Sequence, residues 1–305
     1  MTPYQAPWWL PGGHAQTIFA ALAPAPRIAW RRERWETPDG DLIDLDWAGS
    51  GGPLLALFHG LEGGSSSHYS RSIGAQALAR GWRCVVPHFR GCSGAINRLQ
   101  RAYHSGDSEE LDWIIRRLRP DCAAGVSLGG NVLLKWLGER GSDAASLVRR
   151  AAAVSAPIDL AASGRALDRG VNRRLYTRLF LTTLKAKAYA RIALHRTPID
   201  ARRLARARSL HEFDDIVTAP LHGFRGADDY WARASSAPWI GRIRVPTLVL
   251  NARNDPFLPG AALERAAREA SRDVVLEFPR SGGHAAFPGR NQWLARRVLE
   301  FLSAP

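Results

Sequence analysis

A serine set between two glycines, Gly125-Val126-Ser127-Leu128-Gly129, is the first place in this chain where residue types and spacing suggest chemistry. The five-residue pattern recurs by chance in glycine-rich chains, so its context carries the argument. The apolar run Cys122–Val126 reads as a strand, and Leu128 to Leu134 opens a helix. A serine on a sharp strand-to-helix turn is lifted clear of its neighbours, and the helix turns its positive end toward an oxyanion formed there. Gly125 and Gly129 remove the Cβ atoms that would crowd such a turn. The pattern predicts a nucleophile at Ser127.

A serine hydroxyl needs a base, and the base needs a carboxylate to orient it. One known arrangement supplies them in the chain order serine, acid, histidine, each on a loop after a strand. Thr247–Asn251 reads as a strand, and Asn254-Asp255-Pro256 follows it. Val274–Phe278 reads as the next strand, and Ser281-Gly282-Gly283-His284 follows that. His284 is the last histidine of the chain. Asp255 sits in the expected slot for the acid, while Asp159, after the strand Ala151–Ser155, could serve from a neighbouring loop.

An acyl-transfer site also needs N–H donors for the oxyanion. Leu128, directly after the nucleophile, supplies one. The loop His59-Gly60-Leu61-Glu62-Gly63-Gly64 follows the strand Leu54–Phe58 and supplies the other, for which Leu61 is the expected donor. Gly60 allows the loop to fold back, and His59 is expected to hold it by local hydrogen bonds. His59, His68, His88 and His104 show no repeating ligand spacing, so no metal site is expected, and the chemistry asks for no cofactor.

These residues need a scaffold that brings loops 59–64, 125–129, 254–256 and 281–284 together. Strand candidates at Leu42–Trp47, Leu54–Phe58, Arg83–Pro87, Cys122–Val126, Ala151–Ser155, Pro246–Asn251 and Val274–Phe278 alternate with helical patterns at Tyr69–Ala79, Ser108–Leu118, Leu128–Glu139, Ala261–Ala270 and Gln292–Leu302. Ile28–Glu36 is a further edge candidate. Several strands are apolar throughout, as expected when both faces are covered. The alternation predicts an α/β fold with a mostly parallel central sheet flanked by helices. One domain spans 1–305. Between Ser155 and Pro246 no strand pattern appears, and residues 158–240 are expected to form a helical cap inserted between core strands.

The composition fits this. The chain has 305 residues, 46% hydrophobic and 23% charged, enough for a large core and unlike disordered or fibrous chains. Cys84, Cys92 and Cys122 form no even disulfide framework and no zinc motif. The uncharged stretch before Arg27 is broken by Pro3, Pro7, Pro11, Gly12 and Gly13, so neither a signal peptide nor a membrane span is expected and a cytoplasmic location is the default. Net charge is +14. The segment from Arg165 to Arg208 holds thirteen Arg or Lys against Asp168 and Asp200, and so carries most of it. Val171, Leu175, Leu179, Leu184, Ala188 and Ile192 read as the apolar side of a cap helix. Arg173, Arg174, Arg178, Lys185, Lys187 and Arg191 read as its basic side. That side faces water, or lies on the anionic inner face of a membrane. The segment has few interleaved aromatics, so nucleic acid is not an expected partner.

Beyond the triad, Phe58-His59-Gly60-Leu61-Glu62-Gly63, His88-Phe89-Arg90-Gly91-Cys92-Ser93-Gly94, Tyr103-His104-Ser105-Gly106-Asp107, Phe213-Asp214-Asp215, Asn254-Asp255-Pro256-Phe257 and Pro11-Gly12-Gly13-His14-Ala15-Gln16-Thr17 resemble the YheT-like esterases of the α/β-hydrolase superfamily, the AB hydrolase 4 family. The resemblance spans nearly the whole chain. It implies an α/β-hydrolase fold, a triad of Ser127, Asp255 and His284, and hydrolysis of small-molecule carboxylic esters or lipids, with medium-chain acyl or phospholipid substrates among distant relatives. The chain departs from that pattern at Gly13 and at Asn254, both expected to lie away from the chemistry. Two other classes fit the same residues: an inactive hydrolase-fold protein binding anionic lipid or a partner through the basic cap, and an acyltransferase using the same triad. The sequence leaves oligomeric state open.

Overall fold

The computed structural model describes residues 3–289 and 291–304. Eight strands form one sheet: β1 (Arg31–Glu36), β2 (Leu42–Ala48), β3 (Leu54–Phe58), β4 (Arg83–Pro87), β5 (Cys122–Val126), β6 (Arg150–Val154), β7 (Thr247–Leu250) and β8 (Val274–Glu277). Their order is β1-β2-β4-β3-β5-β6-β7-β8. The pairs β1/β2 and β2/β4 are antiparallel and the others parallel. The α/β fold expected from the alternation is present, and the expected strands are found to within a residue or so at each end. At the β1 edge the last six residues of Ile28–Glu36 are strand.

The apolar runs follow from two-sided burial. Leu54, Ala56 and Phe58 enter one core, with Leu111, Ile114 and Ile115 of α3 (Ser108–Leu118) and Val132, Leu133, Leu134 and Leu137 of α4 (Leu128–Arg140). Leu55 and Leu57 enter the other, with Ile73 and Ala77 of α2 (His68–Leu78) and Leu294, Val298 and Leu302 of the C-terminal helix Trp293–Leu302. At the exposed edge, β1 instead alternates charge. Arg32 grips Asp46 and Arg34 grips Asp44 across the β1/β2 register, each through two hydrogen bonds.

One helix was not expected. Residues Gly12–Leu22 form α1, which the preceding prolines and glycines hide from a propensity reading.

Between β6 and β7 no strand occurs among the described residues. Helices run instead: α5 (Leu160–Leu167), Arg178–Leu194, Ala201–Arg206, Leu210–Phe213, Ala219–His222 and Ala227–Ala234, with five-residue π-helical turns at Arg173–Thr177 and Asp214–Thr218. They share a core of their own, including Leu167, Tyr176, Leu181, Leu204, Phe213 and Val217, into which Phe257 and Leu258 reach from the loop after β7.

The structure corrects the two sides expected for the long helix. Val171, Leu175 and Leu179 are exposed, while Ala188 and Arg191 are buried and Lys187 is half-buried. At about 100° per residue, the five-residue step from Leu179 to Leu184 rotates about 140°, so the two apolar triplets never shared a face. The same arithmetic puts Lys187 and Arg191 beside the inward face.

Asn131 ties this helical layer to the sheet. Its side-chain amide donates to the carbonyls of Ser105 (2.7 Å) and Ala234 (2.8 Å), and its oxygen accepts from the Ser236 N–H (3.0 Å), all in buried surroundings. Asn131→Ala leaves these three backbone groups unpaired, each costing about 1–3 kcal/mol. We expect a stability loss of at least about 2 kcal/mol in urea denaturation; a loss within the few tenths typical of surface substitutions would contradict this role.

Candidate active site

The turn between β5 and α4 carries Ser127 at φ 53° and ψ −121°, a strained conformation for a residue with a side chain. Its N–H donates to the Val154 carbonyl of β6 at 2.8 Å, which locks the turn to the sheet. A Cβ on Gly125 would lie 2.4 Å from the Gly129 oxygen, and one on Gly129 would lie 2.5 Å from the Phe58 oxygen. Only glycine fits either position.

Ser127, His284 and Asp255 meet at this turn. His284 Nε2 lies 2.9 Å from Ser127 Oγ, and His284 Nδ1 lies 2.8 Å from Asp255 Oδ2. Because the carboxylate can only accept, the proton is on Nδ1 and Nε2 is free to accept from the serine. Asp255 Oδ1 accepts the Phe257 N–H at 2.8 Å, and the Asp255 side chain is fully buried. The Phe257 ring packs on the imidazole with centroids 4.2 Å apart. Asp159, the other acid the sequence allowed, caps α5 through the Ala162 N–H and pairs with Arg265.

His59 Nδ1 lies 2.8 Å from the Gly60 carbonyl, and its Nε2 accepts the Phe89 N–H at 3.0 Å. The loop after β3 thereby turns back toward Ser127: a Cβ on Gly60 would stand 3.1 Å from Ser127 Cβ. The neighbouring N–H groups are engaged. Gly60 donates to the Tyr69 hydroxyl, Glu62 to the Tyr103 hydroxyl and Gly129 to the His59 carbonyl. The N–H groups of Leu61 and Leu128 lie between these occupied ones.

The sequence reading missed what holds the histidine. Thr17 Oγ1 of α1 accepts the His284 N–H at 2.8 Å. Gln16 Oε1 accepts from the Gly282 N–H (2.9 Å) and from Asn254 Nδ2 (3.0 Å), and Asn254 Oδ1 accepts the Gly283 N–H (3.0 Å). Ser155 Oγ, at the end of β6, accepts the Ala285 N–H at 2.9 Å. Gly13 and Asn254, expected to lie apart from the chemistry, stand against each other here: a Cβ on Gly13 would meet the Asn254 main-chain oxygen at 1.9 Å. Both lie one step behind His284. The motif Gln16-Thr17 was visible, but nothing local says it reaches a loop more than 250 residues away.

A cavity opens over Ser127 and His284. Leu160, Leu167, Leu184, Leu210, Phe213 and Val217 give it apolar walls from the helical layer. Glu62, Tyr103, Lys187 and Arg191 form a polar corner. Lys187 Nζ and the Tyr103 hydroxyl both donate to Glu62 Oε1, each at 2.7 Å. Among the described residues no cluster of His, Cys, Asp and Glu has metal-holding geometry. No helix there is long and apolar enough to cross a membrane.

Comparison with known proteins agrees with this architecture. A family model described as the alpha/beta hydrolase fold matches residues 53–289. YheT of Escherichia coli, which carries an esterase name, is 38% identical over 89% of this chain and 84% of its own length. The human phospholipase ABHD3 is 28% identical over 97% of this chain and 77% of its own. The esterase EaEST from Exiguobacterium antarcticum superposes with a TM-score of 0.59 at 15% identity, covering 89% of this chain and 99% of that one, a likeness of fold. The chain belongs to the α/β-hydrolase family. Within it, this is a YheT-like hydrolase.

Around the site, burial keeps histidines neutral. It pulls His59 down to about 3, His104 down to about 4 and His222 down to about 3. The unfolded chain protonates these rings below about pH 6.5, so their contribution to stability is complete above that pH and is lost as pH falls toward 3–4. Each contributes a slope of about 1.4 kcal/mol per pH unit inside its window. Asp214, raised to about 6 by burial, and Glu110, also raised by burial, act the other way and offset part of it. Three rings outweigh two carboxyls. The melting temperature is expected to fall steadily from pH 6.5 to 4.5 in circular dichroism scans, and a flat profile there would contradict neutral burial of the rings.

Proposed function

We propose that this chain is a serine carboxylic-ester hydrolase that works through an acyl-enzyme. One observation supports the reading above all: the continuous contact from Ser127 Oγ through His284 to Asp255, at 2.9 and 2.8 Å, on a turn whose backbone presents the hydroxyl to an apolar cavity. In this reading Ser127 attacks the ester carbonyl while His284 Nε2 takes its proton. Asp255 holds the ring in the required tautomer and stabilises the imidazolium. The Leu61 and Leu128 N–H groups receive the oxyanion, with the α4 N-terminus adding its dipole. His284 then protonates the leaving alcohol and activates water for deacylation.

The apolar walls suit the acyl chain of the substrate. The outer surface of the helical layer favours a lipid surface as its source. Leu175 and Leu179, 46% and 64% exposed, stand among Arg173, Arg174 and Arg178, a combination that suits the boundary of an anionic bilayer.

Ser127→Ala is expected to lower kcat on p-nitrophenyl esters by on the order of 10⁴-fold or more and to abolish fluorophosphonate labelling. Asp255→Asn should lower kcat by about 10³–10⁴-fold, since the amide no longer holds the ring in the right tautomer. Full activity in Ser127→Ala would overturn the reading. For the surface, sedimentation with phosphatidylglycerol vesicles is expected to carry the wild type down and to lose the double variant Leu175→Glu, Leu179→Glu. Equal sedimentation of the two would remove the lipid surface from the proposal.

A further inference from the structure

The long helix places a guanidinium where a charge is hard to keep. Arg191 is 8% exposed and lines the cavity that holds Ser127 and His284. Among the described residues its side chain makes no hydrogen bond and no ion pair, and Nε is buried without a partner. Burial pulls its pKa downward, and the negative charges of Glu62 and Asp41, neither bonded to it, offset that only in part. A buried charge is tolerated when something pairs with it, and buried guanidiniums pair well with carboxylates and phosphates through their planar fork.

The cavity's own acids are committed elsewhere. Glu62 accepts from Lys187 and from Tyr103. Asp214 accepts from Thr218 and from the Trp231 indole N–H. His222, whose pKa is lowered in part by Arg191, supplies no anion. Lys187, one helical turn before Arg191, adds a second cation to the same corner. The protein thus leaves a planar, five-donor cation with no hydrogen-bonded counter-charge in the polar corner of a pocket whose other walls are largely apolar.

We propose that Arg191 is an anion-binding subsite of the active-site cavity, and that the preferred ester carries a carboxylate or phosphate group away from the scissile bond. This rests on the triad reading for the word ester, but not for the binding. The oxyanion of the substrate completes the pairing that Arg191 lacks, fixes the molecule end-on, and leaves its apolar stretch against Leu160, Leu184 and Phe213 with the carbonyl toward Ser127. Arg191 would then set specificity through charge, while the apolar walls set chain length.

The test compares three ligands of one chain length: methyl hexanoate, monomethyl adipate and methyl 6-phosphonooxyhexanoate. Their binding to Ser127→Ala is measured by calorimetry, so no turnover is needed. The anionic esters should bind at least about tenfold more tightly than the neutral one, in keeping with a charge-assisted bidentate contact. That preference should vanish with Arg191→Met and persist in part with Arg191→Lys. The tighter of the two anions tells carboxylate from phosphate. Equal binding of neutral and anionic esters by Ser127→Ala overturns the subsite by itself, even if Arg191→Met fails to fold. So does a preference that survives Arg191→Met. Wild-type turnover of p-nitrophenyl hexanoate is followed in parallel. Its absence would count against the triad and leave the binding result standing, whereas its presence without charge discrimination would count against the subsite alone.

Discussion

Three segments of main chain approach one another at the ends of β3 and β5, and the remaining parts of the site are arranged around that approach. The Gly129 N–H reaches the His59 carbonyl at 3.1 Å, while the Ser127 N–H reaches Val154 on the other side at 2.8 Å. A Cβ at Gly125 or Gly129 would stand 2.4 or 2.5 Å from a main-chain oxygen, well inside ordinary contact. With glycine in both places, the α4 N-terminus is drawn down between two strands and Ser127 is forced into positive φ. The strain is held by a close-packed interior, since β3 and β5 are buried along their whole length. The loop at Gly60 can come near the serine only because the same contraction has already happened.

The histidine is placed by different means. Its loop sends Ala285 and Phe287 into the second core and is further positioned by hydrogen bonds from four residues: Thr17 and Gln16 of α1, Asn254 beside Asp255, and Ser155 at the end of β6. Phe257 then limits rotation of the ring, and it also joins the core of the helical layer. Ser127 is therefore fixed by close main-chain packing, and His284 by packing and a polar network together. The helical layer is coupled to both, through Phe257 at one end and Asn131 at the other.

Much of this was legible in the sequence, and the reason differs by element. Strands covered on both faces write themselves as apolar runs, so β3, β5 and β6 could be read almost to the residue. Ser127, Asp255 and His284 could be read because their order and their strand-end positions are local signals. The braces Gln16 and Thr17 could not, because their partners are distant in sequence and their own surroundings are unremarkable. The long helix was misread because a spacing of five was counted as one stripe, which hid Lys187 and Arg191 on the inner side. Gly13 and Asn254, two departures from the family pattern far apart in sequence, are neighbours in three dimensions, Gly13 lying against the Asn254 main-chain carbonyl.

The bond between Thr17 and His284 joins residues 267 positions apart. Closing so long a loop is a late and entropically costly event for a chain that is still ordering itself. The serine turn, by contrast, needs only β3, β5, β6 and α4. A molecule still on its way to the native state can therefore own a formed Ser127 turn while His284 is unplaced. On this view α1 and the His284 loop act as a clasp, and the contact from Ser127 through His284 to Asp255 closes only when folding is complete.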